Sequence, residues 1–319
     1  MGEVAQYLGD RCLYVWAVAC RVGVQLPEVE RAVPWPEMVA MARAAEDARF
    51  DSIWLGDHLL YSLPNGEVRG PWEVWTALAG LASVTERVEL GPLVASTSFH
   101  APAMLAKLAA TVDAISGGRL ILGLGAGWNQ REYTAFGFPY DKRISRFEEA
   151  FTIIRELVRT GRCDFRGAYY EVADCVLDPR PVRAGGLPLM LGSVSPRMMR
   201  IGLPHVDAWN VWWSDYGNDA EGFAAVRTRV ENAGEQAGRR PGDVEATAAV
   251  LVQLPGGVGR VMGETYNDRA IRPARVSELA EHLHAMVDAG AAHVQLVLDP
   301  ITVESIEAAG AAVQDFRDG

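Results

Sequence analysis

The chain has 319 residues, 49% hydrophobic and 22% charged, an ordinary globular composition with enough apolar material for a sizeable core. A formal net charge of −11 disfavours nucleic acid as a partner, although it leaves room for a local phosphate site made of backbone amides. Length alone would fit about two domains, but α/β barrels run past ~250 residues as one.

Residues 13–19 are apolar and Cys20 follows, a faint likeness to a lipoprotein signal. The run is short, and Asp10 with a lone Arg11 makes a poor positive flank. Residues 1–20 are therefore expected to be an N-terminal extension, with a single domain over 21–319. From there, short apolar runs alternate with segments of helical period. Strands are expected at 21–25, 52–55, 88–94, 120–124, 187–191, 208–212, 244–254 and 293–298. Helices are expected at 36–49, 71–83, 101–115, 145–160, 196–203, 221–237, 276–289 and 303–316. Strands apolar on both faces and separated by helices imply a parallel sheet. Eight strand–helix units close naturally into a (β/α)₈ TIM barrel, and a doubly wound open sheet is the alternative. Two stretches break the rhythm: a long loop at 56–70, and 162–183, which reads as an insertion with a small hairpin after the fourth β/α unit.

Cys12, Cys20, Cys163 and Cys175 lie far apart in sequence with no CxxC pair. They read as free thiols of a cytoplasmic protein, not as a disulfide frame or zinc site. No segment approaches a transmembrane length, so no membrane association is expected.

Barrel chemistry sits at the C-terminal ends of the strands. Asp57-His58 follows the second strand: a histidine that exchanges protons near neutral pH with a carboxylate to orient it, or else a structural pair bonded to the loop. Small residues follow the third strand and leave room for a flat ring, while His100 suits packing or phosphate contact. Gly123-Leu124-Gly125-Ala126-Gly127-Trp128 follows the fourth, where alternating glycines let a backbone approach a ligand and Trp128 either stacks or packs. Gly192-Ser193-Val194-Ser195-Pro196-Arg197 opens a helix after the fifth strand and fits a phosphate cradle or else a plain helix cap, with Arg197 adding charge or facing the surface. No metal is expected: His282 and His284, two apart on a helix, point to different faces, and no other ligand spacing occurs. Neither a nucleophile elbow nor a Walker loop is present.

Longer runs carry a resemblance. Residues 44–58 (AAEDARFDSIWLGDH), 105–119 (LAKLAATVDAISGGR) leading into GLGAGW, Arg146-Phe147-Glu148-Glu149 and Ala208-Trp209-Asn210 resemble the bacterial-luciferase-like oxidoreductases over about residues 21–300. The resemblance implies the (β/α)₈ barrel with an insertion, and reduced FMN or deazaflavin F420 as cofactor. Asp-His after the second strand is typical of the deazaflavin branch, so F420 is favoured and FMN is the alternative. The resemblance makes His58 the acid or base of a hydride transfer, tuned by Asp57. It implies a ring supported by a bulge at Leu93, Val94 and Ala95, with a cis bond matching Leu93–Val94. Gly125, Gly127 and Trp128 would line the ring, and Gly192, Ser193, Val194 and Ser195 would hold the phosphate. Where the sugar-phosphate dehydrogenases of this branch carry a glutamate, Trp128 stands here, which argues against a sugar-6-phosphate substrate. The readings are thus an F420-dependent oxidoreductase of a small molecule, an FMN-dependent monooxygenase with a partner reductase, or a non-catalytic flavin-binding protein. The resemblance is compatible with a homodimer.

Overall fold

The computed structural model describes residues 20–63, 65–260 and 271–319, with the backbone of 6–7 and 12–13 in addition. The expected N-terminal extension therefore falls almost wholly outside the described residues. In chain order come β1 Arg21–Gln25, α1 Trp35–Asp47, β2 Ser52–Leu55, α2 Val74–Ala82, β3 in two segments (Glu89–Pro92 and Ala95–Ser96) and α3 Pro102–Ser116. Next are β4 Leu122–Gly125, α4 Gln130–Phe136, α5 Arg143–Thr160, β5 Leu189–Leu191, α6 Pro196–Gly202, β6 Ala208–Val211 and α7 Trp213–Tyr216. The chain ends with α8 Ala220–Gln236, β7 Glu245–Gln253, α9 Leu279–Asp288, β8 His293–Asp299 and α10 Val303–Asp318.

Each strand pairs in parallel with its neighbours, and β8 pairs with β1. The first segment of β3 pairs with β2 and touches β4 through Leu90 and Leu120; the second pairs with β4 through Ala95 and Leu124. The sheet is the expected (β/α)₈ barrel. Alternation along the strands separates two apolar layers. Ile53 and Leu55, or Leu189 and Leu191, join the large core between barrel and helices, whereas Trp54, Ile121 and Met190 form a smaller cluster of their own.

Local chemistry sets the boundaries. Proline opens α1, α3 and α6, where its missing N–H costs nothing. The carboxylate of Glu73 accepts from the amides of Trp75 and Thr76, so α2 starts later than expected. Gly117, at φ 68°, ends α3 in a left-handed cap. Arg119 then donates to the carbonyls of Ala82 (2.9 Å), Thr85 (2.8 Å) and Val88 (2.6 Å), so the Ser-Gly-Gly-Arg run is a structural staple.

Three expectations needed correction and a fourth is met. The third strand is not continuous over 88–94: it breaks at Leu93–Val94, whose peptide is cis as the resemblance implied. The 56–70 loop holds a short antiparallel pair, Tyr61–Ser62 with Val68–Arg69. Helices α4 and α7 were not expected, because each is brief and α4 buries only Glu132 and Tyr133, which leaves no apolar period. Finally, the insertion is the expected hairpin, Arg162–Arg166 with Glu171–Val176, and it sets Cys163 directly opposite Cys175 despite their separation in sequence. Cys20, Cys163 and Cys175 are free thiols.

Candidate active site

The C-terminal mouth of the barrel holds a cavity of about 500 Å³. Asp57, His58, Leu93, Val94, Gly125, Gly127, Trp128, Gly192, Ser193, Val194 and Ser195 all line it. Of the expected residues only Ala95 does not; it is fully buried in the second segment of β3, beside Leu124.

The partner of His58 is not Asp57. Its Nδ1 lies 3.1 Å from both carboxylate oxygens of Glu132, a residue of α4 whose side chain is 1% exposed. Glu132 also accepts from the amides of Leu59 (2.5 Å) and Leu60 (3.3 Å), so it fixes the loop after β2 as well as the imidazole. Burial works against a charge on His58, but the bond to Glu132, helped by the nearby Glu28 and Asp57, outweighs it and raises the pKa above its ordinary value. Asp57 instead accepts from the amide of Ser96 at 2.8 Å and ties the end of β2 to the second segment of β3. Burial pushes its carboxyl up to about 7, partly offset by that amide.

The glycines do not simply clear a path for a ligand. A Cβ at Gly123 or Gly125 would come within 2.8 Å of a Val94 methyl, and one at Gly192 would collide with both Val94 methyls. Together they form the pocket that receives the Val94 side chain, which stands as a ridge on the cavity wall. Gly127 has its own reasons: φ is 71°, and a Cβ there would meet the Tyr133 hydroxyl and, at 2.5 Å, Ser96 Oγ.

A second acidic group was not anticipated. Glu28, buried in the loop after β1, lines the cavity and accepts from Gln25 Nε2 and, at 3.3 Å, from the Tyr61 hydroxyl. Burial raises its pKa, against the pull of Arg260 (3.5 Å) and of His58. Arg260 also pairs with Glu30 at 2.6 Å, and this cation holds Glu30 below its usual range in spite of burial. The His58 ring lies 4.6 Å from that of Tyr61 and 5.6 Å from that of Trp128, so Trp128 packs edge-on against the histidine while 42% exposed at the mouth.

At the other rim, Ser195 N and Ser193 Oγ are 3.3 Å apart in the turn before α6. Arg197 turns away to Ser145 (2.9 Å) and Glu148 (3.1 Å) on α5. The guanidinium that lines the cavity belongs to Arg143, the first residue of α5, which donates to the Gly127 carbonyl. His100 is half-buried outside the lining, and burial lowers its pKa. Among the described residues no three His, Cys, Asp or Glu side chains gather to hold a metal, and no helix is long and apolar enough to cross a membrane.

Residues 16–255 match the family model of the luciferase-like monooxygenases. A pyrimidine monooxygenase, RutA of Cronobacter sakazakii, is 32% identical over 240 residues, 73% of this chain and 69% of its own length. RutA of Escherichia coli is 33% identical over 175 residues, covering 53% of this chain and 45% of its own. Among solved structures, an F420-dependent secondary alcohol dehydrogenase superposes with a TM-score of 0.77 at 17% identity over 94% of this chain and 99% of its own. The EDTA monooxygenase EmoA of Chelativorans sp. BNC1 gives 0.76 at 15% identity, covering 94% and 93%. At such identities these two structures speak for the fold alone.

Proposed function

Because the chain belongs to the luciferase-like monooxygenase family, we propose that residues 21–319 act as one cytoplasmic oxidoreductase unit whose cofactor, deazaflavin F420, occupies the mouth cavity during hydride transfer to or from a small organic substrate. The observation that carries this reading is the His58–Glu132 pair: Nδ1 is committed to a buried carboxylate, which leaves Nε2 as the nitrogen to exchange a proton. The donor set fits the group. The cavity lies in the usual size range of cofactor sites. The Val94 ridge offers an apolar support for a flat ring, and the rim supplies Ser193, Ser195 and Arg143 for a phosphate. When bound, the deazaflavin supplies a two-electron hydride carrier. The chain's part is then to seat the ring against Val94, to hold the phosphate along Gly192–Ser195, and to give or take the substrate proton at His58. Glu132 positions His58, and Asp57 anchors the β2 loop to β3 through Ser96. Free thiols at Cys20, Cys163 and Cys175 agree with a reducing compartment.

A second reading, FMN-dependent monooxygenation with a separate reductase, is favoured by the relatives named pyrimidine monooxygenases. Its substrate would be a small nitrogen heterocycle, and a dry cavity would favour oxygen chemistry over leakage to water. A non-catalytic flavin carrier is the third reading, and turnover with any acceptor dismisses it. Titration of the apo protein with F420 and with FMN, each oxidised and reduced, followed by tryptophan fluorescence, separates these. Micromolar F420 binding with weak FMN binding supports the deazaflavin reading. Preference for reduced FMN supports the monooxygenase, and binding of neither removes both.

A further inference from the structure

We propose that Cys163 and Cys175 form a peroxide-responsive dithiol at the base of the insertion hairpin, a modification site separate from the mouth cavity and independent of which cofactor binds there. The register sets the two residues directly opposite in an antiparallel pair. Opposed residues in such a pair have Cα atoms about 4.5–5.5 Å apart and side chains on one face. That separation lies within the roughly 4.4–6.8 Å span of disulfides. The register shifts immediately after Cys163, an irregularity of the kind that bends the strand and increases its twist beside the pair.

The two thiols differ in access. Cys163 is buried against the main core, whereas Cys175 is partly exposed. Cys163 Sγ donates to Glu156 Oε2 on α5 at 3.5 Å, and burial together with that carboxylate pushes its thiol up to about 12. Cys175 is therefore the thiol to meet the oxidant and Cys163 the one to resolve it. In the first step the Cys175 thiolate attacks hydrogen peroxide: an S–O bond forms, the O–O bond breaks, hydroxide leaves, and Cys175 becomes a sulfenic acid. In the second step Cys163 sulfur attacks Cys175 sulfur. Its proton passes to Glu156 and on to solvent, the S–O bond breaks, and the oxygen departs as water. The sum is two thiols and one peroxide giving one disulfide and two waters.

The bond would close the hairpin at its base. The tip is already held by Glu149 of α5, which accepts from the amides of Ala168 (2.7 Å), Tyr169 (2.8 Å) and Tyr170 (3.0 Å). An oxidised hairpin is thus cross-linked at its base and held at its tip by the helix whose first residue, Arg143, lines the cavity. Cys20 lies elsewhere, just before β1, where it is buried and its thiol is pushed up to about 11, so it should not meet the oxidant.

The test is a titration of the full chain with hydrogen peroxide under native conditions, followed by alkylation and non-reducing peptide mapping. The expected result is the loss of two thiols per chain, a single cross-linked peptide joining Cys163 to Cys175, and full recovery with dithiothreitol. In Cys163→Ala, dimedone should trap a sulfenic acid on Cys175; in Cys175→Ser, Cys163 should remain reduced at the same dose. Cys175 running on to sulfinic acid while Cys163 stays alkylatable would overturn the proposal. So would both thiols surviving at doses that oxidise the surface methionines. Because Cys175→Ser alters only a partly exposed position, it keeps the test decisive if the Cys163 variant fails to fold.

Discussion

At the N-terminal end of the barrel, Arg21 meets Glu89 at 2.7 Å and Glu245 at 2.5 Å, Arg183 meets Glu89 at 3.1 Å, and Arg159 meets Asp207 at 2.6 Å. His293 is sealed there against Ser52 Oγ at 2.8 Å, and burial, with some help from Arg21, drives its pKa well below the ordinary value. At the C-terminal end, Glu28, Asp57 and Glu132 are all buried, with His58 and Arg260 as nearby cations among the described residues; burial pushes the carboxyls of Glu28 and Asp57 upward. The first arrangement matches each carboxylate with a guanidinium around a cavity of about 170 Å³ and keeps its histidine neutral. The second leaves more buried carboxyls than cations around a cavity of about 500 Å³. Charge is abundant at both ends, and its balance is what separates matched ion pairs from a cluster of buried acids with raised pKa.

This contrast can be broken at either end. His58→Ala should lower turnover by about 10²–10⁴-fold, the usual worth of a general acid or base, while cofactor affinity from fluorescence titration changes little. Unchanged turnover would remove His58 from the chemistry. Glu132→Gln should cost less in rate and show itself in the pH profile. Glu132 raises the His58 pKa, so its loss should move the histidine limb of kcat/KM to lower pH, whichever protonation state is active; a stationary limb would contradict the pairing. Gly192→Ala should displace Val94 at an overpacking cost of about 1–3 kcal/mol. We expect it to appear as roughly tenfold or greater weakening of cofactor binding, and undiminished affinity would mean that the Val94 ridge carries no ring.

Asp57→Asn tests stability. With the folded pKa at about 7 against an ordinary 3.8, the folded state holds the extra proton between those values, so wild-type stability falls as pH rises through that window. The variant, which cannot ionise, should lack that decline, and urea midpoints measured from pH 4 to 7 should diverge in its favour. The smallest effect belongs to the opposite end: Arg21→Ala breaks partly exposed pairs, worth about 0–1 kcal/mol in melting experiments, and should leave turnover alone. A loss of turnover comparable with that of His58→Ala would erase the distinction between the two ends.

The barrel was legible because its strands are short, apolar and regularly interleaved with periodic helices. The position of His58 was legible because barrel chemistry gathers at strand ends. Its partner was not. Glu132 lies 74 positions away in a seven-residue helix whose buried side chains are a glutamate and a tyrosine, a pattern with no apolar period to find. One signal existed: Asn129 three residues ahead of Glu132 has the spacing of a helix-capping pair. Even so, the carboxylate turns to His58 and the loop amides. Glu28 was hidden in the same way, as an ordinary acid in a Pro-Glu-rich loop until Tyr61 and Arg260 converge on it. The glycines of β4 were visible, but the side chain they make room for came from the break in β3, which a continuous apolar run concealed.

The Val94 pocket has one more implication. Positions 94, 123, 125 and 192 share a single volume, drawn from the break in β3, from β4 and from the residue after β5. A methyl added at 192 should be tolerable only where methyls are removed at 94, so Val94→Ala should rescue Gly192→Ala in folding but not in ring binding, because the ridge goes with the methyls. These four positions then behave as one heritable unit of shape, and a chain that changed the ring it holds would have to renegotiate them together.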